Sequence, residues 1–309
     1  MSFSISGIQY ALGEKQTNLI DYCKLNQIDY ERLIPRSGFE ILHTTELEEL
    51  EFYIRFLETV LHLDGQEAVI FVNQSLSRKI PGAVSFLFSS IKQNSSTTFF
   101  ELSDGCSGFV RALILGNSLL SSSTFTRVHI ICAEKYSDLF PRTKTSVATI
   151  FSDAISVTTL TPGMDFSILA TRISNDFDRR AAIAVKNIGA TEEFDMAGAE
   201  VLTWANSVVS ENITKMLDSL DLDVAQVSGW YLHQGSKVVI EGIAQRLGIE
   251  SHGLFTARQI GNTASSTIPI AMAEYSKANK GLYSPIGINV LTGFGIGLTA
   301  ASVCLDAIK

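Results

Sequence analysis

A layered α/β fold with largely buried sheets is what this sequence predicts, and three observations predict it. Short apolar runs, often β-branched, alternate with segments of helical period along the chain. Those strand-like runs read as buried, as in sheets covered on both faces. Hydrophobic residues make up 46% of the chain and charged residues 18%, a composition that buries a large core and excludes global disorder. A length of 309 residues exceeds one ordinary core and fits one large domain or two halves sharing an interface.

The elements follow in order. Phe3–Tyr10, Ala68–Val72, Thr97–Leu102, Val128–Cys132 and Ala148–Leu160 read as strands, being short and rich in apolar residues. Between them Glu46–Leu63, Pro81–Lys92 and Cys106–Leu120 carry apolar residues at helical spacing. Thr161–Glu193 is the least apolar stretch, rich in Asp, Arg, Thr and Ser, and is expected to be a junction between halves plus surface loops. Alternation then resumes with a long helix over Met196–Leu220, a strand Gly229–His233 and a helix Ser236–Leu247. A helix over Thr263–Ala278 and two closing strands, Gly287–Leu291 and Leu298–Leu305, complete the chain. The mostly polar Leu120–Thr126 is a solvated turn.

Charge and composition exclude several functions. A formal net charge of -8 argues against a general binder of phosphate backbones. The segment Met1–Tyr10 lacks a basic stretch followed by an apolar run, so no signal peptide is expected. No apolar stretch approaches the roughly 20 residues that cross a bilayer. A soluble, cytoplasmic protein with no nucleic-acid or membrane partner is the expectation. Cys23, Cys106, Cys132 and Cys304 are far apart with no CxxC pair, which argues against a disulfide framework or structural zinc. The histidines, His43, His62, His129, His233 and His252, form no HExxH or His-x-His pair, and no metal is expected.

Four local features carry possible chemistry, each with a plain structural alternative. Cys106 follows a strand and a Ser-Asp-Gly turn and opens a helix, where the helix dipole and free N–H groups favour a thiolate; a buried structural cysteine is the alternative. His233 ends the apolar strand Gly-Trp-Tyr-Leu, at the end where α/β proteins place ligand-facing groups, or it is a hydrogen-bonded strand-end histidine. Asn262 stands in Gly261-Asn262-Thr-Ala-Ser-Ser before a helix, and as a mere N-cap it would need no further role. Thr292-Gly-Phe-Gly-Ile-Gly-Leu-Thr299 lies between two apolar strands; it is a plain hairpin or a glycine-rich turn aiming N–H groups at an anion.

Taken together and in this order, the four resemble the β-ketoacyl-acyl-carrier-protein synthase III family, over nearly the whole chain. Pro35-Arg36-Ser37-Gly38-Phe39-Glu40 resembles the family's T-R-T-G-I-x-E, and Asp104-Gly105-Cys106-Ser107-Gly108-Phe109 its nucleophile motif A-A-C-S/A-G-F. Ile150-Phe151-Ser152-Asp153-Ala154 resembles F-G-D-G-A, and Met196-Ala197-Gly198-Ala199-Glu200-Val201 resembles M-A-G-N-E-V. His233-Gln234 matches P-H-Q-A-N, Gly261-Asn262-Thr263-Ala264-Ser265-Ser266 matches G-N-T-S-A-A, and Phe294-Gly295-Ile296-Gly297-Leu298-Thr299 resembles F-G-G-G-F-T.

The resemblance implies a thiolase fold, five layers αβαβα built from two similar halves, here 1–165 with the nucleophile and 166–309 with the histidine and asparagine. It implies a homodimer, no cofactor, and an acyl-CoA or acyl-carrier-protein thioester as substrate. Cys106 takes the acyl group; the N–H groups of Cys106 and of Ile296, in the Gly295-Ile296-Gly297 loop, hold the oxyanion. His233 and Asn262 stabilise the enolate left when a malonyl-type extender loses carbon dioxide.

Departures from the family pattern fall on the substrate-binding positions. Arg36 is kept, but the tryptophan that stacks on coenzyme A becomes Arg32, and the arginine that grips it falls on Thr145, with Arg142 and Lys144 nearby. A phenylalanine becomes Leu202, two asparagines become Ala199 and Ser236, the acyl-pocket phenylalanine becomes Ile80, and the middle glycine of the loop becomes Ile296; Ile296 must therefore avoid positive φ. The segment after the arginine motif is shortened. Lys237 and Arg246 are candidates for contact with an acidic carrier. The same covalent chemistry with a different donor or acceptor is the expectation, in fatty-acid-related or specialised metabolism. Two alternatives stay open: an acyltransferase passing the acyl group to an alcohol or amine, and a non-catalytic subunit of a condensing heterodimer.

Overall fold

The structure is a computed structural model that describes residues 2–76, 80–91, 96–139, 148–188 and 191–308. Its strands are β1 (Ser2–Leu12), β2 (Lys15–Asn18), β3 (Ile41–Thr44), β4 (Glu67–Val72), β5 (Thr98–Leu102), β6 (Arg127–Glu134), β7 (Ala154–Pro162) and β8 (Phe166–Asn175). They continue with β9 (Ile183–Ile188), β10 (Thr191–Met196), β11 (Val227–Leu232), β12 (Gly287–Gly295) and β13 (Thr299–Ala307). The helices are α1 (Leu19–Leu25), α2 (Tyr30–Ser37), α3 (Glu49–Val60), α4 (Ala83–Ser89) and α5 (Gly108–Ser121). After them come α6 (Gly198–Trp204), α7 (Ser210–Asp218), α8 (Lys237–Leu247) and α9 (Thr267–Ala278).

Nine strands join in the order β11-β12-β13-β8-β1-β7-β6-β4-β5, and that order contains a repeat. In the first group β1 and β7, then β7 and β6, pair antiparallel, whereas β6 and β4 pair parallel. In the second group β8 and β13, then β13 and β12, pair antiparallel, whereas β12 and β11 pair parallel. The groups meet only at the start of β1 and β8, through Ser2↔Ser167 and Phe3↔Phe166. The Phe3 and Phe166 rings stack there with centroids 5.6 Å apart.

Packing makes five layers. On one outer side α3 and α4 bury Phe52, Tyr53, Leu57, Val84 and Leu87 against Val69, Phe71, Ile131 and Val157. In the middle, α5 and α9 bury Phe109, Leu113, Ile268 and Met272 between the two strand groups, against Ile70, Val128, Leu160, Leu291 and Val303. On the other outer side, α6 to α8 bury Trp204, Ile213, Leu217 and Ile240 against Val290, Ala300 and Cys304. The nearly continuous apolar strands of the sequence are thus sheets covered on both faces. This is the thiolase architecture that the motifs imply.

The helix expected over Met196–Leu220 is found as α6 running on into α7 through a π turn at Ala205–Val209, whose flanking residues keep right-handed helical backbone, a local insertion that re-phases the helix face. The stretch Thr161–Glu193 is not a junction of loops: it holds β8, β9 and the start of β10. Its polarity misleads because β8 turns polar residues toward a polar helix face. Ser174 donates to Asn212 Oδ1 of α7 at 2.6 Å, and Asn212 Nδ2 in turn reaches Ala300 O at 3.2 Å.

Because α5 is covered from both sides, its apolar contacts carry more than those of an outer helix. Leu113→Ala in α5, where Leu113 is fully buried, is expected to destabilise the protein by about 2–5 kcal/mol. The same change at the half-buried Leu50 of α3 should cost less, with urea unfolding of both variants as the measurement.

Candidate active site

The chain reaches the site through the two middle-layer helices. Each is entered by a tight 3₁₀ turn, Gly105–Ser107 before α5 and Ala264–Ser266 before α9, and these turns pack against one another. The end of β12 packs against the first of them. Gly105 has φ +47°, a left-handed conformation that favours glycine, and it swings the chain from β5 into the nucleophile turn.

Cys106 is 7% exposed. A Cβ on Gly293 would lie 2.6 Å from the Cys106 carbonyl oxygen, and one on Gly295 would lie 3.3 Å from its Sγ. The glycines of β12 therefore let one backbone press against the nucleophile turn. Ile296 has no positive φ, whereas the following Gly297 has φ +124°, so the glycine absorbs the turn's conformation and isoleucine is tolerated at the middle of the loop. The Ile296 side chain packs toward Gly105, its Cδ1 3.1 Å from where a Cβ would stand.

His233 follows β11, with its backbone N–H donating to Thr292 O at 2.9 Å. Phe294 lies edge-on to the imidazole with ring centroids 5.3 Å apart. Thus Phe294 touches His233 while its neighbour Gly295 touches Cys106. The ring's Nδ1 is 2.8 Å from Thr267 Oγ1, and that hydroxyl donates to Ala264 O at 3.1 Å. A hydroxyl whose proton is committed accepts from Nδ1–H, which leaves Nε2 with a lone pair. Burial pushes the His233 pKa down to about 3, against a smaller upward pull from the Ala264 backbone, so the ring is neutral at physiological pH.

Asn262 is clamped on both sides: its N–H donates to Ile150 O, and its carbonyl accepts from Ser152 N–H, both at 2.9 Å. Its Oδ1 accepts the Ala264 N–H at 2.9 Å. That is the capping role expected of a plain structural asparagine, yet it leaves Nδ2 as a donor. Gly261 has φ +82°, and a Cβ there would meet Ser152 Oγ at 2.2 Å, which is why glycine precedes the asparagine. Asp153, next to Ser152, is held by its hydrogen bonds. It accepts from Thr45 N–H at 3.0 Å, from Ser137 N–H at 3.0 Å and from Ser137 Oγ at 2.6 Å, stapling loops behind the site.

The electrostatics of the nucleophile differ from the expectation. Burial pushes the Cys106 thiol pKa up, with the charge of Glu134 a second cause and its own backbone N–H a weaker opposing one. The helix-start position does not outweigh desolvation, so the resting group is a thiol. Glu134 itself ends β6 fully buried. Its Oε2 accepts the Gln74 and Ser75 N–H groups, each at 3.1 Å. Its own pKa is pushed up to about 8, by burial first, with the Gln74 N–H opposing.

Two models of one family match: the 3-oxoacyl-[acyl-carrier-protein] synthase III model over residues 100–176 and its C-terminal model over 217–307. The β-ketoacyl-[acyl-carrier-protein] synthase III of Lactococcus lactis subsp. cremoris is 30% identical, with 67% of this chain and 67% of that protein covered. The chain belongs to the β-ketoacyl-acyl-carrier-protein synthase III family. The synthase III crystal structures from Aquifex aeolicus (23% identical, TM-score 0.86, 99% of this chain and 100% of that one) and Pseudomonas aeruginosa (20%, 0.87, 100% and 99%) share its fold. Acyl transfer with condensation, in general, is the activity of this family.

Against that family pattern, the structure gathers Cys106, His233, Asn262 and the Gly295–Gly297 loop at one place. It does not bring the substrate-binding candidates there alike. Arg36 is exposed in the last turn of α2. Leu202 in α6 and Ser236 at the N-cap of α8 are half-buried. Ile80, just before Pro81, is 93% exposed. Arg142, Lys144 and Thr145 lie outside the described residues. Four contributors were not singled out from sequence: Gln74, Glu134, Tyr136 and Thr267. Only Glu134 leaves a local signal, a lone acid ending the apolar run Val-His-Ile-Ile-Cys-Ala.

Glu134 sets a pH dependence. A folded pKa near 8 against about 4.5 unfolded means that the folded state keeps a proton that the unfolded state releases. Its contribution is full below about pH 4.5 and is lost as pH rises through 8. The urea midpoint of the wild type should fall between pH 5.5 and 8.5 relative to that of Glu134→Gln; parallel profiles would refute the assignment.

Proposed function

We propose that this protein is a ketosynthase III-type enzyme that loads an acyl group onto Cys106 and condenses it with a malonyl-type thioester, releasing carbon dioxide. The observation that carries the reading is the convergence of a buried thiol, a neutral imidazole and an asparagine amide around the glycine loop. The names of the relatives support a carrier-protein or coenzyme A thioester as donor.

In the first half-reaction His233 Nε2, holding a lone pair, accepts the Cys106 proton as sulfur attacks the thioester carbon. A base is required because burial holds the thiol protonated. The Cys106 and Ile296 N–H groups are the donors for the tetrahedral oxyanion. The departing thiolate takes the proton back from Nε2, leaving the acyl-Cys106 ester and a free thiol.

In the second half-reaction the extender loses carbon dioxide and its electron pair moves into the thioester carbonyl. Asn262 Nδ2 donates to that enolate oxygen. The ring donates from Nε2–H in its other tautomer, which the Thr267 hydroxyl permits by turning its proton from Ala264 O to Nδ1. The enolate carbon attacks the acyl ester, and Cys106 leaves as thiolate, which is reprotonated when product departure opens the site to solvent.

The test is intact-protein mass spectrometry with a panel of acyl-CoAs. Wild type should gain one acyl mass, and Cys106→Ala none. A malonyl thioester should discharge the adduct with carbon dioxide released, and Asn262→Ala should slow discharge about 10²–10³-fold more than it slows loading. An adduct that an alcohol or amine discharges, but malonyl does not, would replace condensation by simple acyl transfer. The absence of any adduct would point to a non-catalytic subunit.

A further inference from the structure

A cavity of about 220 Å³ opens beside the nucleophile turn, lined by Tyr136, Leu139, Ile183, Val185, Phe194 and Ile296 on its apolar side. At roughly 30 Å³ per water-sized group, it has room for on the order of seven such groups, a short to medium chain. One wall is different: Gln74 and Ser103 line it too.

Gln74 is held from three directions. Its backbone N–H is fixed by the buried Glu134 carboxyl at 3.1 Å. Its turn is pinned by Asn73, whose Nδ2 donates to Ala133 O at 2.6 Å and whose Oδ1 accepts Leu76 N–H at 3.0 Å. Its side-chain amide donates from Nε2 to Ser103 O at 2.7 Å and accepts from the Tyr136 hydroxyl at 3.3 Å. The amide oxygen lies 2.6 Å from where a Cβ on Gly105 would stand. Glycine immediately before the nucleophile therefore makes the space that this amide fills. A primary amide offers two N–H donors and two lone pairs. One of each is used, so one N–H and one lone pair remain at the cavity wall, next to the residue that would carry the acyl group.

We propose that Gln74 is a specificity-determining residue of this cavity, selecting acyl thioesters that carry a hydroxyl or keto oxygen near the thioester carbonyl over unsubstituted chains of equal length. The inference rests on the acyl-Cys106 reading above. A plain alkyl chain in the cavity strips water from both remaining amide positions and returns nothing, whereas a hydroxyl donates to the lone pair and accepts from the N–H. Leaving buried polar groups unpaired is what makes such sites discriminate; a wholly apolar pocket discriminates weakly against an added hydroxyl.

The experiment is single-turnover loading of Cys106 by hexanoyl-CoA, 3-hydroxyhexanoyl-CoA and 3-oxohexanoyl-CoA, followed by intact mass. The proteins compared are wild type, Gln74→Met (similar shape, no amide) and Gln74→Leu. Wild type should load at least one oxygenated chain about 10- to 100-fold faster than hexanoyl. Both variants should lose that ratio, and a urea midpoint and far-UV circular dichroism close to those of wild type show that they fold. Wild type loading hexanoyl as fast as both oxygenated chains, or an unchanged ratio in the variants, overturns the role of Gln74 and leaves the acyl-enzyme reading intact. No loading from any of the three overturns both.

Discussion

The constraint on which the rest depends is the close approach of two backbones, the turn around Cys106 and the end of β12. A Cβ at Gly293 would lie 2.6 Å from the Cys106 carbonyl and 2.8 Å from the Ser107 Cα, separations that no side chain survives. Only because those atoms are missing can the end of β12 lie against the nucleophile turn, with Gly295 beside the sulfur. The same approach brings Phe294 against His233, so one short run of chain sets the histidine and the nucleophile relative to each other. Substitution at Gly293 would thus act on both at once.

Burial at this place has a chemical consequence. Water is excluded from the sulfur, from His233 and from Glu134, and each is driven toward its neutral form. A site of neutral groups binds without stored charge and generates charge only as bonds move. That suits a reaction whose intermediates are an oxyanion and an enolate, because fixed donors in a dry site act most strongly on charge that develops late.

Much of this was legible in sequence, and the limits have physical reasons. Cys106, His233 and Asn262 drew notice in the sequence because each sits in a local pattern, strand–turn–helix or strand end, that is written in consecutive residues. Gln74 and Tyr136 could not, because only the parallel pairing of β4 with β6 sets the ends of those strands, some sixty residues apart, side by side. Strand β8 was obscured by Ser174, whose polar side chain is satisfied by Asn212 of a distant helix. Ile80 was placed in the acyl pocket by motif position alone; in the fold it is exposed.

The repeat within the sheet has one more meaning. Equivalent helices, α5 and α9, are each entered by a 3₁₀ turn, and the two turns carry different duties: sulfur on one side, an amide and the histidine's tether on the other. Two copies of one supersecondary unit, paired in the sheet through two residue pairs between β1 and β8 and packed together through α5 and α9, each bring one of these turns to the candidate site. Neither copy holds a site of its own. The candidate site lies at the seam, so a change in the packing of either half bears on groups carried by the other.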